Sequence, residues 1–142
     1  MVKFFTKDEQ QQIIAKIREV ESKTSGEIRV HLARNAGDPI FLEAVRVFQR
    51  LGMQDTKARN GVLIYMAPKD HRFAIVGDKG IDEVLPEHFW KDLVDEAERQ
   101  FRQTKFLEGV CQAIDRIGEH LSAHFPYEEG DDNELPDELS FD

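Results

Sequence analysis

Four oxygen-bearing residues stand beside glycines in this chain: Glu27 follows Gly26, Asn60 precedes Gly61, and Asp78 and Asp82 flank a Gly77/Gly80 loop. Carboxylate and amide oxygens are hard donors, and on flexible loops they suit Ca²⁺ or Mg²⁺. Glycine permits close backbone approach around such a ligand. The first reading is a divalent-cation site, Ca²⁺ ahead of Mg²⁺, with Asp78 as main ligand and Asp82, Glu27 and Asn60 as further ligands or orienting groups. The same residues also read as turn chemistry, with glycine supplying positive φ and Asp supplying caps. Asp78 and Asp82 do not reproduce the strict ligand spacing of an EF-hand loop. Lys79 and Arg59 are the cations near enough to hold a phosphate. A metal-assisted phosphomonoesterase, with metal-bound water as nucleophile, is therefore the alternative activity.

Other chemistry is poorly supported by spacing. Cys111 and Arg116 are one residue too close for a cysteine-phosphatase loop, and they fall inside a helical pattern beside Val110 and Ile114. A thiol buried on such a stripe is inert. His120 and His124 have the i, i+4 spacing of a metal pair but no third ligand at hand, so a solvated helix end is expected. His31 is expected on the polar face of a strand and His71 in a turn, neither with an identifiable carboxylate partner. No P-loop, Gly-x-Ser-x-Gly elbow or Asp-x-Asp-x-Thr segment occurs.

These residues need elements to position them. Val62 to Met66 is a continuous apolar run, the pattern of a strand covered on both faces. Ala67-Pro68-Lys69-Asp70-His71 then turns the chain back into Arg72 to Val76, which predicts a hairpin. Upstream, Thr6-Lys7-Asp8-Glu9 is a capping box, and Ile13, Ile14, Ile17 and Val20 follow at helical spacing. Glu27 to Ala33 alternates, predicting a strand with one wetter face, nearer an edge than the hairpin. Asp38-Pro39 predicts an N-cap and first turn for a second helix, which buries Phe41, Ala44, Val45, Phe48 and Leu51. Pro86 opens a third helix, and Phe106 to Leu121 carries a fourth.

The order α-β-α-β-β-α-α predicts a three-layer α/β/α sandwich around a small mixed sheet. The first strand and the Val62 strand should be parallel, and the Arg72 strand antiparallel to both. The loops at Thr24–Glu27, Arg59–Gly61 and Gly77–Glu83 then converge at one end of the sheet.

With 142 residues the chain is long enough for one domain with its own core. The net charge of −9 is concentrated in residues 126–142, which contain eight carboxylates and no Lys or Arg. That tail is expected to be disordered, although Leu135, Leu139 and Phe141 could dock on a surface. The third functional reading follows: an interaction module with structural loops, whose acidic tail and helices engage a protein partner. A near-neutral body with no basic stripe excludes nucleic acid as a partner. No apolar run approaches the roughly 20 residues of a membrane span. The early charges at Lys3, Lys7 and Asp8 leave no room for a signal-peptide apolar region, and a single cysteine suits the reducing cytoplasm. The expected location is cytoplasmic, with no membrane partner.

Three segments carry a resemblance: Ser25 to Val30, Asn60 to Ile64, and Gly77-Asp78-Lys79-Gly80-Ile81 with its Pro-led helix. Taken in this order they resemble the TPM domain family, over residues 4 to 125. That family includes a thylakoid-lumen protein of photosystem II repair and a nematode receptor-associated protein. The tail FPYEEGDDNELPDEL is similar to that of small stand-alone bacterial members. The resemblance implies an α/β/α sandwich as the body, residues 1–125, followed by the tail. It also implies either weak acid phosphatase activity or binding of calcium and other divalent cations. Typical members have an aromatic Gly-Tyr-Gly-Leu-like loop, a signal peptide and a membrane anchor. Here Asp78-Lys79 lengthens that loop, and the targeting elements are missing from this sequence.

Overall fold

The computed structural model describes residues 4–128 and 138–142. Helix α1, Lys7–Glu21, begins on the expected capping box: the Thr6 hydroxyl accepts from the Glu9 amide at 3.1 Å, and the Glu9 carboxylate accepts from the Thr6 amide at 3.0 Å. Strand β1, Glu27–Leu32, helix α2, Ile40–Arg50, and strand β2, Gly61–Ala67, follow. The Pro68–Asp70 turn then returns the chain into β3, Arg72–Gly77. A short helix α3, Lys79–Asp82, leads to the long helices α4, Glu87–Arg102, and α5, Phe106–His124.

Every residue of β2 is buried, as its unbroken apolar run requires. It lies between β1, parallel to it, and β3, antiparallel to it. Alternate side chains then fill two cores. Val62, Ile64 and Met66 face α1, α4 and α5, whereas Leu63 and Tyr65 face α2. Burial of two faces against helices gives the three-layer sandwich expected from the element order.

Besides Phe41, which is exposed on α2 and not part of its buried stripe, three expectations need correction. Helix α2 starts one residue later than the Asp38-Pro39 pattern suggests, with Pro39 in the cap position and no side-chain cap. The Gly77–Glu83 segment is not all loop, because Asp78 caps the short α3. The third correction concerns β1. It is covered on both sides, since β4, Leu139–Phe141, pairs parallel with it to give the order β3-β2-β1-β4. Residues 138–142 are therefore ordered strand and strand ends. The expected docking of Leu139 and Phe141 takes place on the chain's own larger core. Leu135 and the rest of the acidic run lie outside the described residues.

Candidate functional site

The three glycine-containing loops meet at one end of the sheet through backbone hydrogen bonds. Glu27 donates to the Asn60 carbonyl at 3.3 Å, Asp78 to Gly61 at 3.0 Å, and Gly80 to Arg59 at 2.8 Å. The approach at Gly80 is close enough to demand glycine, because a Cβ there would sit 2.3 Å from the Ala58 carbonyl oxygen. Arg59, by contrast, holds a left-handed φ of 51° although it is not glycine, a conformation that costs a bulky side chain energy. Its reward is the ion pair with Asp78.

That pair is bidentate. Arg59 Nε reaches Asp78 Oδ2 at 2.7 Å and Nη2 reaches Oδ1 at 2.9 Å, while the Lys79 amide also donates to Oδ1 at 2.8 Å. Asp78 is buried and Arg59 is about half exposed. Fork-to-fork pairs of this kind are among the stronger charged hydrogen bonds. Asp78 is thus the cap of α3 and the anchor of the Arg59 loop.

Asp78 and Asp82 line one cleft of about 740 Å³, together with Arg59, Lys79, Gln54 and Phe48. Burial raises the Asp82 carboxyl above its ordinary value, the Asp78 charge adds to the rise, and a hydrogen bond with Trp90 opposes it. Gln54 Oε1 is buried in this wall with no hydrogen-bond partner among the described residues. An unpartnered buried oxygen is a costly feature. Gln54 was not singled out from sequence. A lone glutamine in the polar stretch from Met53 to Arg59 has no spacing that marks it.

The other two expected ligands lie elsewhere. Asn60 is 1% exposed and does not line the cleft. Its amide nitrogen donates to Ser25 Oγ at 3.3 Å, its backbone amide to Thr56 Oγ1 at 3.2 Å, and its Oδ1 has no hydrogen-bond partner among the described residues. Glu27 is buried at the start of β1 and also stands away from the cleft. The structure therefore joins Asp78 and Asp82, adds Gln54, and separates Glu27 and Asn60. Among the described residues no three His, Cys, Asp or Glu side chains converge as a metal cluster. A cation here would take two carboxylates and an amide oxygen, a hard donor set suited to Ca²⁺ or Mg²⁺. It would have to compete with Arg59 for Asp78.

The remaining candidates are quickly placed. Cys111 is half-buried on α5, and burial pushes its thiol up, away from the reactive thiolate. His120 packs on the Phe89 ring with centroids 4.1 Å apart, and His71 stacks obliquely on Phe106 at 5.8 Å. His31 is the exception to expectation. It is fully buried, and it has a carboxylate partner after all: Nε2 lies 2.8 Å from Asp142 Oδ1, and Nδ1 lies 2.8 Å from Ser140 Oγ. Its ring stacks on Tyr65, with centroids 5.6 Å apart. That partner is more than a hundred positions away in the chain, so no local pattern could have named it.

Comparison with known proteins adds the following. The TPM domain profile matches residues 1–120. The solution structure of BA42 from the psychrophilic bacterium Bizionia argentinensis is 40% identical, superposes with a TM-score of 0.90, and is covered over 98% of its length by 100% of this chain. An N-terminal domain from P. gingivalis shares the fold at 17% identity and a TM-score of 0.69, over 87% of this chain and 83% of its own. An N-terminal domain from Corynebacterium glutamicum does so at 14% identity and a TM-score of 0.63, over 82% and 74%. The comparison with curated proteins found no match.

Proposed function

Because the chain belongs to the TPM domain family, we propose that it binds a divalent cation, Ca²⁺ before Mg²⁺, in the cleft rimmed by Asp78 and Asp82. The observation that carries this reading is Gln54 Oε1: a buried oxygen with no hydrogen-bond partner among the described residues, in the wall that those two carboxylates share. Asp78 and Asp82 supply charge, and Gln54 supplies a neutral oxygen. Arg59 is the resident cation that must swing out. Few charged ligands and a built-in competitor place the affinity in the weak class, on the order of 10⁻⁴ to 10⁻³ M. Glu27 and Asn60 support the loops from behind and do not reach the ion. A cytoplasmic location belongs to the same proposal and rests on the single cysteine.

A Ca²⁺ titration followed through backbone amide shifts tests this. Amides near Gln54, Arg59 and Asp78 should move together, and the melting temperature should rise by mass action. Arg59→Gln should bind Ca²⁺ more tightly than the parent, while Asp78→Asn and Gln54→Ala should bind it more weakly. Shifts confined to residues 128–142, or an Arg59→Gln variant no tighter than the parent, would defeat the proposal. A phosphomonoesterase reading ranks second. Lys79 lines the same cleft, but Arg59 is already committed to Asp78. Hydrolysis of p-nitrophenyl phosphate that depends on added Ca²⁺ or Mg²⁺ and on Lys79 would promote it.

A further inference from the structure

The outer edge of β1 is filled by a short piece of the chain's own sequence. The Val30 amide donates to the Glu138 carbonyl at 2.9 Å, and the Asp142 amide donates to the Leu32 carbonyl at 3.0 Å. Between these bonds Leu139 and Phe141 pack on the larger core. Ser140 on the opposite face meets His31. The end of the segment sits in a carboxylate cradle: His31 Nε2 reaches Asp142 Oδ1 at 2.8 Å and the Arg34 amide donates to Oδ2 at 2.8 Å. Charge matches at both ends. Arg18 pairs with Glu138 at 2.9 Å, and Arg50 favours the charged form of Asp142.

The segment is less buried than the strand it covers. All six residues of β1 are buried, whereas Leu139, Ser140 and Phe141 are only partly so and Asp142 is exposed. It spans three strand residues, and the sequence just before it, residues 128–137, is rich in carboxylates without a Lys or Arg. We propose that the β1 edge is a docking groove for an extended peptide of a partner protein, and that residues 138–142 are its displaceable resident. The peptide it selects runs parallel to β1 and reads apolar, small polar, apolar, carboxylate. Backbone pairing supplies the affinity, as in other strand-addition interfaces, and the core pocket and His31–Arg34 cradle supply the selection. A tethered resident acts at an effective concentration in the millimolar range, so a partner peptide competes poorly until the resident is weakened.

The test uses the full chain. A fluorescent peptide of sequence Asp-Glu-Leu-Ser-Phe-Asp is titrated against the parent and against a Phe141→Ser, Asp142→Asn double variant, with binding read by anisotropy. The variant should bind at least about tenfold more tightly than the parent, since its own segment no longer competes. The same peptide with Ser in place of Phe should not bind. Equal affinity for variant and parent, or no binding by a variant with a native amide spectrum, overturns the proposal. So does concentration-dependent dimerisation of the parent by exchange of this segment, which would make a second copy the occupant. Hydrogen exchange on the parent guards against a variant that does not fold. The Val30 and Leu32 amides face the segment, whereas those of Arg29 and His31 face β2. The first pair should exchange at least about tenfold faster than the second by local opening. Equal protection of all four would mean that the segment leaves only on global unfolding, and the proposal would fall.

Discussion

Glu21 shows at the scale of one residue what burial does to a carboxylate. Its Oε2 accepts from the Ile28 amide at 2.9 Å, at the junction of α1 and β1. Burial pushes its carboxyl up to about 7, Glu27 and Glu138 add to the rise, and the Ile28 amide opposes it. A raised carboxylate binds its proton more tightly in the folded state than in the unfolded one. Its contribution to stability is therefore full below the unfolded value and is lost as pH rises toward 7. Glu21→Gln removes that loss while leaving an oxygen for Ile28. It should match the parent at pH 4 in chemical denaturation and exceed it at pH 8 by roughly 2 kcal/mol. A variant no more stable than the parent at pH 8 would mean that Glu21 ionises freely. At the same scale Asp78 was legible as important from its place between glycines. Arg59 was legible only as a cation near that loop; its bidentate pairing with Asp78 was not, because the two residues are 19 positions apart and the left-handed φ of Arg59 is announced by no residue type. Asp78→Asn should keep the cap on Lys79 yet lose the ion pair, so a modest loss of stability is expected beside the weaker Ca²⁺ binding.

At the scale of elements, the helices with long apolar stripes and the hairpin follow directly from periodicity. The two elements that sequence reading missed are α3 and β4, of four and three residues. Neither is long enough to show a period. Strand β1 misled for a different reason. Glu27, Arg29 and His31 alternate with apolar residues as a solvated face would, yet all three are buried on the sheet face that Leu63 and Tyr65 share with α2, and for His31 the Tyr65 ring, Asp142 and Ser140 supply the partners. The junction of α3 with the Arg59 loop is set by close approach. Gly80→Ala forces a methyl against the Ala58 and Arg59 carbonyls, at 2.3 and 2.8 Å from its ideal position. Backbone cannot give way as a side-chain end does. The cost should be about 2 kcal/mol or more, measured as a lowered urea midpoint. The Arg59–Asp78 pair should loosen with it, visible as shifts at both amides. A neutral Gly80→Ala would show that the loop has room to move.

At the scale of the whole molecule, Phe101 connects the layers. It is fully buried, meets Phe73 of β3 edge-on with centroids 5.6 Å apart, and meets Phe106 of α5 at 5.2 Å. Phe101→Ala leaves a cavity where α4, α5 and the sheet converge. A loss of about 3 to 5 kcal/mol is expected in equilibrium unfolding. Its effect on Ca²⁺ affinity in the folded fraction should be small, since Phe101 does not line the cleft. The last residues also belong to this scale. Removing residues 138–142 would take β4 from the sheet and leave His31 without Asp142, so these five residues contribute to the fold. Among the described residues no helix is long and apolar enough to cross a membrane.

The sequence by itself determined the layer order, the pairing directions of β1, β2 and β3, and the meeting of three loops at one end of the sheet. All of these follow from local periodicity, turn chemistry and the handedness of strand-helix-strand connections. It also pointed to Asp78 and Asp82. Only the tertiary structure decided which oxygens share a cleft, because the path of a loop brings Gln54 to Asp78 and Asp82, whereas Glu27 opens β1, which β2 separates from β3, and Asn60 is buried outside the cleft lining. Only the tertiary structure gave His31 its carboxylate, since a buried histidine is satisfied by whichever chain segment folds over it, and that segment is more than a hundred residues away.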